Sequence, residues 1–399
     1  MNMNTPSLRF PEFTEFWEIR EIGEFIQERS EFATPSLPLY SLTIENGVVP
    51  KSKRYERSFL VKGKSNAYKK MEPFDFAFNP MNLRFGALAQ YKGSENVAVS
   101  KYYNIFYGRA GCVTDYLETF LTTFKMIQYY DKMSTGTLEE KKRVHYLDFI
   151  HFRKPFPSNL EQQKIAAFLS AVDKKIQQLQ RKKELLEQYK KGVMQKIFSQ
   201  EIRFKDEDGN DYPDWEEKTL GNIGEIVSGL TYSPKDIDDD GVLVLRSSNV
   251  HNRMIKYDDN VFVKVAKGSF NPVRVGDILI CVRNGSKRLI GKNALIEKNC
   301  AGVAFGAFMT IYRSEVNNFL FHYFDTPLYK KEVHRNLGAT INSINGSNLK
   351  KFKVPFPSAD EQTRIARFLT KQDEVSTILG EQFQAYQKFK KGLLQQMFV

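Results

Sequence analysis

A chain of 399 residues with 41% hydrophobic and 13% aromatic content is long enough for two or more domains with real cores, and too apolar to be mostly disordered. Its net charge of +12 favours a polyanionic partner, nucleic acid first, ahead of an acidic protein or a membrane surface. Cys112, Cys281 and Cys300 make no CxxC pair, no run of about 18 apolar residues exists, and the start MNMNTPSLRF lacks an apolar core, so the reading is a cytoplasmic protein with no zinc site and no membrane partner.

Residues 1–154 are rich in Tyr, Phe, Val, Gly and Asn and form the first globular segment. Strands are predicted at FDFAFNP (74–80) and NVAVSKYYNIFY (96–107), and an aromatic-rich helical stretch runs over 115–136 to a closing glycine. Between residues 51 and 70, Lys51, Lys53, Arg54, Arg57, Lys62, Lys64, Lys69 and Lys70 face a single carboxylate, Glu56. Ser65, Asn66 and Tyr68 interrupt them. Such a segment suits phosphate gripping with short polar groups offered to base edges, against the plainer reading of a solvated loop. Arg84 and Lys92 are weaker candidates.

Residues 155–198 read as a spacer helix. Pro155-Phe156-Pro157-Ser158 is extended, because proline disfavours the α conformation in the residue before it. Ser158 then caps a helix, with Glu161 placed three residues later as in a capping box. Ile165, Val172, Leu179, Leu186 and Val193 recur every seven residues, and Phe168, Ile176, Tyr189 and Ile197 widen the stripe. This is the pattern of a long coiled-coil helix of roughly 55 Å. Its cations (Lys174, Lys175, Arg181, Lys182, Lys183, Lys190, Lys191) read mainly as a solvated face.

The second globular segment, 199–354, has strand candidates at 241–250, 276–283 and 307–313 and a helical stretch at 317–338 that Pro327 interrupts. Two loops carry residues suited to groove readout. Arg246, Ser247, Ser248 and Asn249, followed by His251 and Arg253, form one. Arg283, Asn284, Ser286, Lys287 and Arg288 form the other. Arginine pairs bidentately with guanine and asparagine with adenine. The run Asn342–Asn348 suits a backbone contact or a turn.

Residues 355–399 repeat the first spacer helix. PFPSADEQTRIARFL matches PFPSNLEQQKIAAFL at an offset of 200 residues with no gap. Ile365, Leu379, Tyr386 and Leu393 continue the stripe, broken by Gln372. Trp17 and Trp215 each shortly precede an Ile-Gly pair (Ile22-Gly23, Ile223-Gly224), so the duplication extends weakly into the globular segments. The fold class expected is α+β (mixed): two globular α/β domains and two long helices forming an antiparallel coiled coil, with a pseudo-twofold internal repeat.

The sequence offers little catalytic chemistry. Asn79-Pro80-Met81-Asn82 lacks the second proline and the aromatic of a base-flipping methyltransferase motif and reads as a strand end and turn. No P-loop is present, the histidines show no metal spacing, and Pro213-Asp214 with Glu216-Glu217-Lys218 reads as a solvated loop.

The twofold P-x-P-S-x-x-E-Q-x-x-I-A-x-F-L motif, the Trp…Ile-Gly entrance and the Gly276–Leu279 and Ile290–Lys292 run together resemble the specificity subunits of Type I restriction–modification systems, over essentially the whole chain. The resemblance implies two target recognition domains reading a split site in double-stranded DNA, and no catalysis or cofactor in this chain. It also implies two modification (methyltransferase) subunits and restriction (translocase/nuclease) subunits as partners, with S-adenosylmethionine, ATP and Mg on those partners. A coiled-coil interaction scaffold and a single-chain methyltransferase fusion are the alternative readings.

Overall fold

The computed structural model describes residues 5–51, 67–266, 268–337 and 342–399. The chain divides into two compact units. Unit 1 comprises Met1–Gln180 with Glu381–Val399, and unit 2 comprises Arg181–Gly380.

Unit 1 runs through β1 (Glu18–Glu21), β2 (Ile26–Arg29), β3 (Tyr40–Thr43), β4 (Gly47–Pro50), β5 (Tyr68–Met71), β6 (Phe76–Phe78), β7 (Leu88–Gln90), β8 (Val97–Ser100) and β9 (Asn104–Gly108). Helices α1 (Thr114–Leu121), α2 (Phe124–Met133) and α3 (Tyr146–Ile150) follow, then β10 (Arg153–Phe156) and the long helix α4 (Asn159–Phe198). A four-stranded antiparallel sheet has the order β2-β9-β6-β7, while β3 pairs with β4, β5 with β8, and β1 with β10. β6 reads Phe-Ala-Phe and is buried throughout; Phe76 stacks on Phe106 of β9 at 5.1 Å. The stretch expected as one helix over 115–136 breaks into α1 and α2. Thr123 causes the break: its hydroxyl accepts from the Met126 amide (3.3 Å) and donates to the Phe120 carbonyl (2.8 Å), capping the second helix.

Unit 2 repeats this plan with β11 (Glu216–Thr219), the short α5 (Leu220–Ile223), β12 (Glu225–Ser228), β13 (Ile237–Leu245), β14 (Val250–His251), β15 (Met254–Ile255), β16 (Phe262–Val263), β17 (Ile278–Cys281), β18 (Asn293–Leu295), β19 (Ala304–Phe305) and β20 (Met309–Arg313). Then come α6 (Asn317–Tyr323), α7 (Pro327–Arg335), α8 (Gly346–Lys350), β21 (Lys353–Phe356) and the long helix α9 (Ala359–Gln396). The sheet β12-β20-β17-β18 has the same order and antiparallel sense as its counterpart in unit 1. Thr326 breaks the second helical stretch as Thr123 breaks the first, accepting from Tyr329 N (3.3 Å) and donating to Tyr323 O (2.7 Å). Pro327 therefore opens α7 at its first position, where a missing N–H costs nothing. Glu216, Glu217 and Lys218, expected in a loop, lie in β11, which pairs with β21.

Each unit takes the first part of one long helix and the last part of the other. In unit 1, Asp173 of α4 pairs with Lys390 of α9 at 2.6 Å. Near the end of α9, Phe398 sits by Phe120, which packs on Phe156 just before α4 begins. The two segments are therefore antiparallel. Unit 2 has the equivalent set: Lys190 pairs with Asp373, and Phe198 stacks on Phe319, which meets Phe356 just before α9. Burying each such Phe side chain contributes about 2 kcal/mol. Ile165, Val172, Leu179, Ile365, Leu379 and Leu393 are buried as the heptad pattern expects, but Tyr189 is exposed. At the end of α4 the buried residues become Met194, Ile197 and Phe198, which turn into the core of unit 2.

The repeat motif has a different internal use from the one its spacing suggests. Ser158 does cap α4, its Oγ accepting from Glu161 N at 3.4 Å. The Glu161 carboxylate does not reach back to the helix start. It is fully buried and takes a bidentate pair from Arg9 (both 2.7 Å) and the indole N–H of Trp17 (3.2 Å). Glu361 repeats this with Arg203 (3.3 and 2.8 Å) and Trp215 (2.8 Å). The next residue closes the motif: Gln162 and Gln362 donate to the carbonyls of Pro157 and Pro357. A buried carboxylate is tolerated here because charge-assisted donors satisfy it.

Candidate nucleic-acid interface

The best-defined loop cluster lies in unit 2, beyond the ends of β13 and β17. After β13 the chain makes a single tight turn, Ser247–Asn249, and enters the hairpin β14–β15. Asn249 is buried and holds the turn: its Oδ1 accepts from Arg246 N (2.9 Å), and its Nδ2 donates to the carbonyls of Lys256 (3.0 Å) and Asp259 (3.2 Å). The Arg246 guanidinium pairs with Asp259 at 2.9 Å. These two members of the predicted loop shape it; the Ser248 hydroxyl is also buried, Ser247 is half-buried, and His251 is exposed. His251 Nε2 lies 2.7 Å from the Ser248 carbonyl, so that nitrogen carries the proton.

The hairpin tip is the two-residue turn Asn252-Arg253, with φ of 47° and 65°. Both values are left-handed, as a type I′ turn requires. Asparagine suits this region; an arginine there costs about 1 kcal/mol. The Arg253 side chain compensates by stacking on the Phe321 ring at 3.8 Å, donating to the Phe321 carbonyl and lying 3.9 Å from Asp325.

The second loop docks on the first. Asn284 Nδ2 donates to Ser247 Oγ (2.9 Å), Asn284 Oδ1 accepts from Ser286 N (3.0 Å), and Lys292 Nζ donates to the Ser247 carbonyl (3.2 Å). Asn342 closes the cluster from the other side through Gly285 O (2.9 Å), and Asn345 caps α8 through Asn348 N (2.7 Å). The run 342–348 is thus largely consumed by structure. Arg283 reaches over Phe308, and Lys287 and Arg288 are exposed, their side chains making no hydrogen bond or ion pair among the described residues.

Unit 1 presents its predicted cations differently. Lys53, Arg54, Arg57, Lys62, Lys64, Ser65 and Asn66 lie outside the described residues. Lys51 follows β4. Lys69 donates to Tyr103 O (3.0 Å), and Lys70 pairs with Glu31 and Glu72 (3.2 and 2.6 Å). Arg84 is buried; its guanidinium meets Glu139 at 2.6 Å and Asp131 at 3.3 Å and stacks on Phe85. Lys92 is tied to Glu118 at 2.6 Å. Apart from Glu72, two residues from Lys70, these carboxylates come from residues 26–55 positions away, beyond the reach of local sequence patterns. Sequence reasoning also passed over Lys330 and His334 of α7, which join Lys287, Arg288 and Lys292 around a cleft of 490 Å³. Lys292 carried a signal, as the last residue of the Ile290–Lys292 run.

Among the described residues no group of three or more His, Cys, Asp or Glu side chains is placed to hold a metal ion, and no helix is long and apolar enough to cross a membrane.

Residues 212–385 match the Type I restriction modification DNA specificity domain family. The putative type I restriction enzyme MjaX specificity subunit of Methanocaldococcus jannaschii is 26% identical over 70% of this chain and 66% of its own length. The MjaVIII specificity subunit of the same organism is 28% identical over 65% of this chain and 63% of its own. The matched stretch thus spans just under two thirds of each relative. The crystal structure of the Type I restriction–modification S subunit from M. genitalium superimposes with a TM-score of 0.58 over 99% of both chains at 14% identity, a likeness of fold. Residues 212–385 are thus similar to the Type I restriction modification DNA specificity domain family, and the chain shares its fold with a solved S subunit along its full length.

Proposed function

We propose that this chain is the specificity subunit of a Type I restriction–modification system. Each unit reads one part of a split site in double-stranded DNA. Residues 1–154 and 199–354 are the two target recognition domains, and residues 155–198 and 355–399 are the spacer helices. The chain carries no catalytic group of its own. It recruits two modification subunits, which bind S-adenosylmethionine, and restriction subunits, which use ATP and Mg, in the cytoplasm.

One observation carries this reading: two half-scaffolds share a sheet order, a Thr-capped helix pair and a Trp–Glu–Arg lock, yet carry unlike loops. A duplicated frame with divergent surfaces suits a target made of two unlike parts. In unit 2 the loops at 246–253 and 283–288 supply side chains of the kind that read base edges.

The test is selection of duplexes from a random library by the full chain together with its modification subunits. The expected result is a bipartite motif. Exchanging Ser247 and Ser286 should alter one part only. Retention of duplexes without sequence preference would favour an interaction scaffold instead, and methylation by the isolated chain would end the proposal.

A further inference from the structure

The two units differ sharply in charge at one equivalent place. In each, a single tight turn follows the second strand of the sheet: Leu83–Phe85 after β6, and Lys287–Leu289 after β17. A left-handed glycine sits just past each turn, Gly86 at φ 94° and Gly291 at φ 82°. Each glycine lies against the second member of the Thr-capped helix pair, Gly86 against Ile127 of α2 and Gly291 against Val333 of α7. The places therefore correspond.

In unit 1 the cleft beside this turn is lined by Arg84, Glu139 and Glu140, and the one cation is buried against carboxylates. In unit 2 the corresponding cleft is lined by Arg253, Lys287, Arg288, Lys292 and Lys330 against a single carboxylate, Asp325. Asp325 lies 3.9 Å from Arg253 and 3.5 Å from Lys330, so it offsets one charge of the set at most. Arg253 and Lys292 are already committed to Phe321 and Ser247. Lys287 and Arg288 point outward with no partner among the described residues.

From this we infer that the cleft between the Lys287–Leu289 turn and α7 is a phosphate-binding site for the DNA backbone, and that unit 1 has no such site at the corresponding place. The inference rests on the DNA-reading function proposed above and assigns its parts. Lys287, Arg288 and Lys330 take backbone phosphates. The adjoining Ser247–Asn284 cluster is thereby set in register over the bases. Arg253 positions the hairpin and contacts no phosphate. A polyanion suits the cleft because its cations outnumber its one carboxylate and a run of phosphates would take the place of their solvent counterions, and the loops that border it are those suited to base edges.

The experiment measures binding of the full chain, with its modification subunits, to a short labelled duplex of random sequence between about 50 and 200 mM salt. The variants are Lys287→Gln/Arg288→Gln, the same with Lys330→Gln, and Lys92→Gln in unit 1 as a control. Each lost phosphate contact should lower the slope of log K against log salt by about 0.9. The double variant should therefore lose about two units of slope and the triple variant nearly three, with Lys92→Gln unchanged. Thermal melting confirms that each variant is folded, and the exposed positions of Lys287 and Arg288 make this the expected state. Folded variants with wild-type slopes would overturn the inference. A wild-type slope that drops as expected, with no sequence preference in library selection, would support the cleft and overturn the reading function. Wild-type protein that binds no duplex would overturn both.

Discussion

Unit 1 and unit 2 agree where distant segments meet and differ where loops meet solvent. Both hold a buried Glu at the third residue of a long helix with a Trp and an Arg from the preceding segment. Both bury an aspartate just before the second sheet strand, but they neutralise it from different directions. Asp75 takes Arg29 of β2 at 2.6 Å, whereas Asp277 takes Arg313 of β20 at 2.8 and 2.7 Å. Around these fixed points unit 1 carries the pairs β3–β4 and β5–β8, and unit 2 carries the sheet β16-β13-β19 with the hairpin β14–β15. The need for a neutralised carboxylate is shared; the strand that supplies the cation is not. A frame can be copied and its surfaces rebuilt, provided each buried charge keeps some partner.

The Trp–Glu–Arg lock is where the comparison can be broken most forcefully. Glu361→Ala should cost about 3–5 kcal/mol, because Arg203 and Trp215 lose their common acceptor. Glu161→Ala should cost a similar amount, read as a fall in thermal unfolding temperature. Losses differing by more than twofold would show that the locks are equivalent in geometry only.

The turn glycines give a second contrast. An alanine Cβ at Gly291 would lie 2.8 Å from Val333 Cγ2, against 3.1 Å from Ile127 Cδ1 at Gly86. Both substitutions also strain a left-handed residue, so each should destabilise by about 1–2 kcal/mol, Gly291→Ala the more. Denaturant midpoints would check the order.

Acid should separate the units as well. His322 is buried on α6 with Nε2 3.1 Å from Thr370 Oγ1 and Nδ1 3.9 Å from Asp373. Burial, helped by the positive charges of Lys190 and Arg253, pushes its pKa down to about 3. The folded state therefore keeps it neutral while the unfolded chain protonates it near 6.5. The stability it preserves is complete above 6.5 and is lost as pH falls toward 3, at up to about 1.4 kcal/mol per pH unit. Counting back from the capping threonine, unit 1 has Thr119 at this place. His322→Gln should flatten the acid limb of a stability–pH curve; an unchanged limb would contradict the assignment.

The smallest effect concerns the paired ions of the long helices. Lys190→Ala and Lys390→Ala should each cost less than about 1 kcal/mol, because both pairs are partly solvated. Double-mutant cycles with Asp373 and Asp173 would measure the difference.

Much of this architecture was legible in the sequence because it is periodic or repeated. The 200-residue offset marked both long helices, and the strand runs at 74–80, 276–283 and 307–313 contain β6, β17 and β20. What was hidden depends on partners far along the chain. Glu161 sits at capping-box spacing, yet Arg9 and Trp17, more than 140 residues away, take its carboxylate. Arg84 looked available until Asp131 and Glu139 folded over it. Asn249 looked like a base reader, but three backbone groups hold it inside the turn. Polar residues announce their chemistry locally, whereas their availability is decided by tertiary contacts.

The borrowed helix ends carry a consequence for biosynthesis. Leu393, Met397 and Phe398 complete the core that Phe120 and Phe156 begin, and Lys125 donates to the Phe398 carbonyl at 2.7 Å. A nascent chain emerging from the ribosome thus holds unit 1 unfinished until Phe398 has been translated, while unit 2 has all its parts some twenty codons earlier. The usual vectorial order is reversed, and the first part made is the last sealed.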